Sequence, residues 1–262
     1  MLNTMQQEQH SAIRREFDRQ APSWVCAEIS EPLRWVVEQL PLKSGFEVLD
    51  VAAGTGLFGG AIAPHVRNVT AVDISPKMLE LGKRRAAELG IHNIAFVEGT
   101  AEALPFADTS FDLVVTRYSL HHVLDPIAVL REMARVARFG GAVVAVDMLA
   151  DDDSSVAARQ NELERTVDST HTRMLPLCEL LEDFAHAGLR VEAQSCRDVA
   201  VDFDHWQPHI DRGDRDKLAV RRALMDELYG GAVTGFRPFM DGEPLLFYHT
   251  WGAVCARKDR AS

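Results

Sequence analysis

"VLDVAAGTGLFGG", residues 48–60, sets a β-branched apolar run directly against a cluster of glycines. Gly54, Gly56 and Gly59 form a literal G-x-G-x-x-G. That pattern lets a strand turn sharply into a helix while the backbone comes close to a nucleotide. Alone it does not say which nucleotide. It does say where a sheet begins. Residues 46–51 are predicted as a strand bounded by Gly45 and the glycine loop, and "LFGGAIAPHV" as the helix that follows.

Further down the chain the same alternation continues. "NVTAVDI" (68–74), "NIAFVEG" (93–99), the start of "FDLVVTRYSL" (111–120) and "AVVAVDM" (142–148) read as strands. Between them, "SPKMLELGKRRAAELG" (75–90) has Ser75 to cap a helix, Pro76 at its first position and Gly90 to close it. "DPIAVLREMARVARFGG" (125–141) reads as an amphipathic helix ended by two glycines. Strands that are nearly continuous apolar runs, alternating with helices, imply a parallel sheet covered on both faces. Ligands of such a sheet bind at the carboxyl ends of its strands.

Two helices are expected before this unit, over 5–20 and in "EPLRWVVEQL". After residue 150 the expectation is helices in "DDDSSVAARQNELERTV" and "LPLCELLEDFAHAGLR", a strand at 191–201, polar helical material at 204–235 and a long last strand at 244–258. No linker or repeat divides the chain. The fold class read from this is α/β, one domain over 1–262: a helical lid at 1–40, a nucleotide half at 45–150 and a substrate-side half at 151–262.

Charge narrows the function classes. There are 39 acidic against 28 basic residues, a net charge of −11, and such a surface repels a phosphate backbone, so no nucleic-acid partner is expected. Lys83-Arg84-Arg85 and Arg221-Arg222 sit in helix-like stretches and read as solvated faces. Cys26, Cys178, Cys196 and Cys255 have no C-x-x-C spacing, so reduced thiols and no metal are expected. The polar start "MLNTMQQEQHSAIRREF" is no signal peptide, and no apolar run has the length of a membrane span. The reading is a cytoplasmic protein.

Asp50 bears on the choice of nucleotide. It ends the first strand, four residues before Gly54. A carboxylate there repels a pyrophosphate but attracts S-adenosylmethionine, which has no phosphate and carries an ammonium and a sulfonium. Capping of the turn through backbone N–H groups is the other reading of Asp50. Asp73, which closes the second strand, suits ribose hydroxyls of either nucleotide.

On these residues the chain resembles the class I S-adenosylmethionine-dependent methyltransferases, in particular the group of ubiquinone and menaquinone biosynthesis methyltransferases. "VLDVAAGTG", "VTAVDISPKML", "FVEGTAEALPFADTSFDLVVTRYSLHHV" and "EMARVARFGGAVVAVD" look like successive motifs of that family, over residues 46–148. The resemblance implies a Rossmann-like seven-stranded sheet sandwiched by helices, with N-terminal helices, a helical insertion and an antiparallel last strand. It implies S-adenosyl-L-methionine as cofactor, S-adenosyl-L-homocysteine as product, and Asp50, Ala52, Gly54, Gly56, Asp73, Ile74, Thr100, Ala101, Glu102, Thr116 and Arg117 as cofactor residues. Ala52 stands where the family often has Gly, and Thr100 where it commonly has Asp. "EFDRQAPSW" is similar to the segment that closes over the substrate, which singles out Phe17 and Trp24; Tyr118 and Trp206 are further candidates for the acceptor side. "NELERTVDSTHTRMLPLCELLEDFAHAGL" resembles a subgroup segment, keeping Asn161, Glu164, Asp168, His171 and Arg173.

Methyl transfer requires a nucleophile held in line with the S–CH3 bond, and a base where that nucleophile carries a proton. His122, His121 and His171 are the candidate bases, with the first slightly preferred. Because His121 and His122 are adjacent, only one of them is expected to face the methyl group. The function expected is methyl transfer to a small organic molecule. The alternatives are a protein of the same fold that binds adenosylmethionine without methylating, and an NAD-dependent oxidoreductase.

Overall fold

The computed structural model describes residues 4–23, 31–206 and 213–259. Helix α1 (Thr4–Gln20) and helix α2 (Glu31–Glu38) precede β1 (Glu47–Val51), α3 (Leu57–Ile62), β2 (Asn68–Asp73), α4 (Pro76–Glu88), β3 (Ile94–Glu98) and β4 (Phe111–Arg117). Then come α5 (Pro126–Val136), β5 (Ala137–Leu149), α6 (Ser154–Val167), α7 (Leu177–His186), β6 (Leu189–Asp202), α8 (Phe203–Trp206), α9 (Asp214–Leu228), β7 (Phe239–Met240) and β8 (Leu245–Lys258). Among the described residues the strands form one sheet in the order β3-β2-β1-β4-β5-β8-β6, and the short β7, which the sequence did not signal, pairs with β8. β1 to β5 are mutually parallel, while β8 runs antiparallel to β5 and to β6. The chain leaves β1 in one direction, to β2 and β3, and returns on its other side at β4. That reversal opens a crevice at the carboxyl ends of β1 and β4.

Alternation along the strands builds the core. Leu113 and Val115 of β4 join α2 and α3 on one face, with Val48, Val144 and Val146. Val114 points the other way, with Leu49, Val143 and Ala145, onto α5 and α7. A third cluster, with Phe203, Phe236, Phe247 and Leu224, packs β8 against α6 and α9. Helix α4 is bounded as its sequence implies: Ser75 Oγ accepts the Met78 N–H at 3.1 Å, and Gly90 takes φ +67° past its end. Helix α5 is shorter than expected. It stops at Val136 because Ala137 pairs with Phe111 of β4, and the next pair, Leu113 with Ala142, leaves Arg138–Gly141 as a bulge in the strand. Gly141 suits that bulge, since a Cβ there would meet Arg138 O at 2.8 Å. Among the described residues no helix is long and apolar enough to cross a membrane.

Candidate active site

The glycine loop joins β1 to α3 at the crevice, under α1, and lines a cleft with about 640 Å³ of empty space. Ala52 and Gly54 adopt φ of +53° and +55°. An added Cβ on Gly54 meets nothing within 4 Å, so the loop presents bare backbone to open space. Gly56 serves packing instead: at φ +69° it precedes α3, and a Cβ would lie 2.7 Å from the Phe96 ring. It lies outside the cleft.

Asp73 lines the cleft and accepts the Gly54 N–H at 2.7 Å and the Ser75 N–H at 2.8 Å. Its remaining lone pairs are those a pair of ribose hydroxyls would use. Ile74, Thr100, Ala101 and Glu102 also line the cleft. Asp50 does not. It is 1% exposed and accepts the Gly59 N–H at 2.8 Å; burial raises its pKa to about 7, against the pull of that hydrogen bond. The direct attraction expected of Asp50 is therefore not a contact this geometry offers. The capping reading describes its placement, because the side chain turns under the loop to the first turn of α3. Asp50 and Asp73 together engage N–H groups of the loop and of α3 that a phosphate would need.

Helix α1 roofs the cleft with His10, Ile13 and Phe17. Polar contacts along its length hold it down. Gln9 Nε2 donates to His122 O and Thr170 O at 2.8 and 3.0 Å. His10 Nε2 lies 3.0 Å from Glu102, and Arg14 lies 3.1 Å from Glu98. Ser75 Oγ donates to Asp18 at 2.6 Å.

A second cavity of about 1010 Å³ adjoins the first and shares Phe17, Tyr118 and His122 with it. Met148, Val201, Trp206 and Trp251 make apolar walls, and His121, Glu164, Asp168 and His249 bring polar groups. Tyr118, at φ +56°, is held in a left-handed conformation that a bulky residue rarely adopts. Its ring stands edge-on to Trp251 at 4.6 Å.

The two adjacent histidines are both buried, with ring centroids 4.1 Å apart. Both line the second cavity, which wraps around the tight turn Leu120–His122 that carries them, and of the two only His122 also lines the cofactor cleft. His121 donates from Nδ1 to Asp147 Oδ1 at 2.5 Å. The same carboxylate accepts the N–H groups of Ser119, Leu120 and Met148, so it shapes the turn as well. Burial pulls the His121 pKa down, but Asp147 more than offsets this and holds it above the ordinary 6.5. His122 Nδ1 lies 3.1 Å from Thr170 Oγ1. Burial, then the neighbouring His121, lowers the His122 pKa to about 4.

Other expected residues fall elsewhere. His171 lines neither cavity: its Nε2 donates to Asn161 at 2.9 Å, and its ring packs behind His121 at 5.5 Å. It is part of the buried shell around His121 rather than a group that reaches the cavities. For Thr116 and Arg117 the resemblance implies a role of a backbone carbonyl, which their side chains do not decide: the Thr116 hydroxyl is buried on Val51 O at 2.8 Å, and the Arg117 guanidinium lies 4.8 Å over the Tyr118 ring. Trp24 lies outside the described residues. Among the described residues no three His, Cys, Asp or Glu side chains form a group suited to a metal ion.

Asp147, as the partner of His121, and His249 are site residues that the motifs do not single out. Both had a signal. Asp147 breaks the apolar run "AVVAVDM" at a strand's carboxyl end. His249 sits in the inward stripe Leu245, Phe247, His249, Trp251, the one polar residue of four.

Residues 49–145 match a family described as a methyltransferase domain. The chain is 34% identical over 194 residues to the uncharacterized methyltransferase YcgJ of Bacillus subtilis, covering 72% of this chain and 76% of that protein. It is 33% identical over 153 residues to the demethylmenaquinone methyltransferase of Listeria monocytogenes, covering 55% of this chain and 65% of that enzyme. The crystal structure of YcgJ superposes with a TM-score of 0.79 at 27% identity, over 87% of this chain and 98% of that one.

Proposed function

The chain belongs to the class I S-adenosylmethionine-dependent methyltransferases, and on that premise we propose that it holds S-adenosylmethionine in the cleft under α1 and methylates a small organic molecule in the adjoining cavity. The observation that carries this reading is the sharing of Phe17, Tyr118 and His122 between the two cavities. A donor in one and a nucleophile in the other meet across those three side chains, as an in-line displacement requires.

The first cleft fits the cofactor by its donor set. Asp73 offers carboxylate lone pairs to ribose hydroxyls, and Thr100, Ala101 and Ile74 offer polar and apolar contact beside it. Gly54 leaves room where any side chain would project. When bound, the cofactor supplies a reactive methyl group on a positive sulfur. The protein's part is positioning, exclusion of water by α1, and removal of a proton where the nucleophile carries one. His122 is the candidate for that last task. The comparisons do not favour NAD-dependent redox chemistry or cofactor binding without methyl transfer.

Calorimetry with S-adenosylhomocysteine and with NAD tests the cofactor, and the intact-mass shift of candidate acceptors incubated with enzyme and adenosylmethionine tests the reaction. Binding of the first ligand only, with a gain of one methylene mass in an acceptor, is the expected result. Tight NAD binding without binding of S-adenosylhomocysteine overturns the reading.

A further inference from the structure

We propose that His249, held by Glu164, is a second hydrogen-bonding anchor in the acceptor cavity, selecting molecules that carry an O–H or N–H group apart from the reacting one. The proposal rests on the reading of that cavity as the acceptor site.

His249 lies on β8 and faces inward. Its ring is boxed by Phe247 at 5.1 Å, Phe236 at 5.7 Å and Trp206 at 6.2 Å. Glu164, on the buried face of α6, takes its Nε2 at 3.0 Å. Both residues line the cavity. A carboxylate only accepts, so Glu164 fixes a proton on Nε2 and leaves the lone pair of the neutral ring on Nδ1. Nδ1 has no partner among the described residues and is not among the polar atoms sealed from solvent. An apolar molecule that dries the cavity strands this acceptor, whereas one with a hydrogen to donate satisfies it. That asymmetry is how a polar site rejects an analogue lacking the matching group. His121 and His122 stand on a different element, the turn after β4, so His249 is placed to hold a part of the molecule other than the reacting atom.

The rival account is that His249 and Glu164 merely tie α6 to β8. Two variants separate the accounts: His249→Phe fills the box without any lone pair, whereas the His249→Gln amide donates to Glu164 and offers its carbonyl oxygen as an acceptor in place of Nδ1. The probes are 2-naphthol and 2-methoxynaphthalene, titrated calorimetrically into protein saturated with S-adenosylhomocysteine. Wild type is expected to bind the naphthol roughly fivefold more tightly, the worth of one hydrogen bond. In His249→Phe the ratio is expected to fall to about one through lost naphthol affinity alone, with 2-methoxynaphthalene and S-adenosylhomocysteine affinity unchanged. His249→Gln is expected to keep the preference, because its amide oxygen still accepts. A preference that survives in His249→Phe, that disappears only in His121→Gln, or that is absent from wild type overturns the proposal, as does an equal loss of affinity for both probes in His249→Phe, the mark of a merely structural tie. Failure of wild type to bind S-adenosylhomocysteine at all overturns instead the reading of the whole site, and the proposal falls with it.

Discussion

His122 donates from Nδ1 to the Thr170 hydroxyl oxygen across 3.1 Å, because that hydroxyl gives its own proton to Asp168 at 2.7 Å. The relay fixes the imidazole with its proton on Nδ1 and its lone pair on Nε2, the form a base needs. Thr170→Val keeps the shape but removes the oxygen. It is expected to lower kcat roughly tenfold, the scale of one lost hydrogen bond. Affinity for S-adenosylhomocysteine, measured by calorimetry, is expected to stay the same, and Thr170→Ser to restore the rate.

If His122 is the base, the kcat/KM profile reports its proton affinity. The imidazole must be neutral to act. Burial and the adjacent His121 lower its pKa to about 4, against the opposing pull of Asp168 and Asp147. The acid limb is therefore expected well below pH 6.5, with a flat profile through neutrality. His121→Asn removes the neighbouring charge and is expected to move the limb upward. His122→Ala is expected to reduce kcat by roughly 10²–10⁴-fold. An acid limb at or above 6.5 in wild type would assign the proton transfer to His121, which Asp147 holds above its ordinary value.

Much of this arrangement was legible in the sequence, for identifiable reasons. Glycines and caps act locally, so Ser75, Pro76 and Gly90 marked α4 correctly, and the run from β1 to β4 followed the alternation of apolar segments. The end of α5 was not legible. Residues 137–141 continue an acceptable helical pattern, and pairing of Ala137 with Phe111, 26 positions away, overrides it. The site divides in the same way. Asp73, Thr100 and Ala101 follow from motif position, and they line the cleft. The roles of His121 and His171 depend on partners remote in sequence or on the curvature of a cavity: Asp147 lies 26 residues from His121, and His171 is turned away by Asn161. Asp50 carries the right charge, but its direction is set by an N–H of α3.

Asp73 and Asp50 are expected to respond differently to substitution. Asp73→Ala removes a carboxylate from the cleft and is expected to weaken S-adenosylhomocysteine binding by about 1–3 kcal/mol. Asp50→Asn keeps an oxygen for the Gly59 N–H and touches no bound molecule, so affinity is expected to change little. Its effect is on stability. The folded-state pKa of Asp50, about 7, lies above the ordinary 3.8. The native state therefore holds this proton more tightly than the unfolded chain does, and the resulting stability is full below pH 3.8 and lost as pH rises through 7. The Asn variant has no such loss. Denaturant melts of both proteins between pH 4 and 8 are expected to show Asp50→Asn gaining on wild type as pH rises, by about 4 kcal/mol at most. A difference that is constant with pH would show that Asp50 ionises normally in the fold.

Helix α1 contributes no residue to the three apolar clusters that form the core. Its attachments are polar, through Gln9, His10, Arg14 and Asp18, and all reach the rims of the cavities or the loops around them. With no share in those clusters the helix adds little to global stability: the half-exposed Arg14–Glu98 pair contributes roughly 0–1 kcal/mol, and each net hydrogen bond about 1 kcal/mol. It adds much to the site, since Ile13 and Phe17 close the cofactor cleft and Phe17 meets the His122 ring edge-on at 5.4 Å. Deletion of residues 1–20 is accordingly expected to leave a cooperatively melting protein with native far-ultraviolet dichroism. S-adenosylhomocysteine affinity is expected to fall roughly tenfold, as contacts worth about 1.4 kcal/mol are lost from one wall. Turnover is expected to fall much further, because water then reaches the shared boundary of the two cavities and Phe17 no longer braces His122. Phe17→Ala in the full-length chain separates those two causes: it removes the brace and leaves the remaining roof in place. A drop in kcat for Phe17→Ala close to that of the deletion would locate the effect at the His122 ring. Full turnover in the truncated protein would show that α1 is no part of the catalytic enclosure.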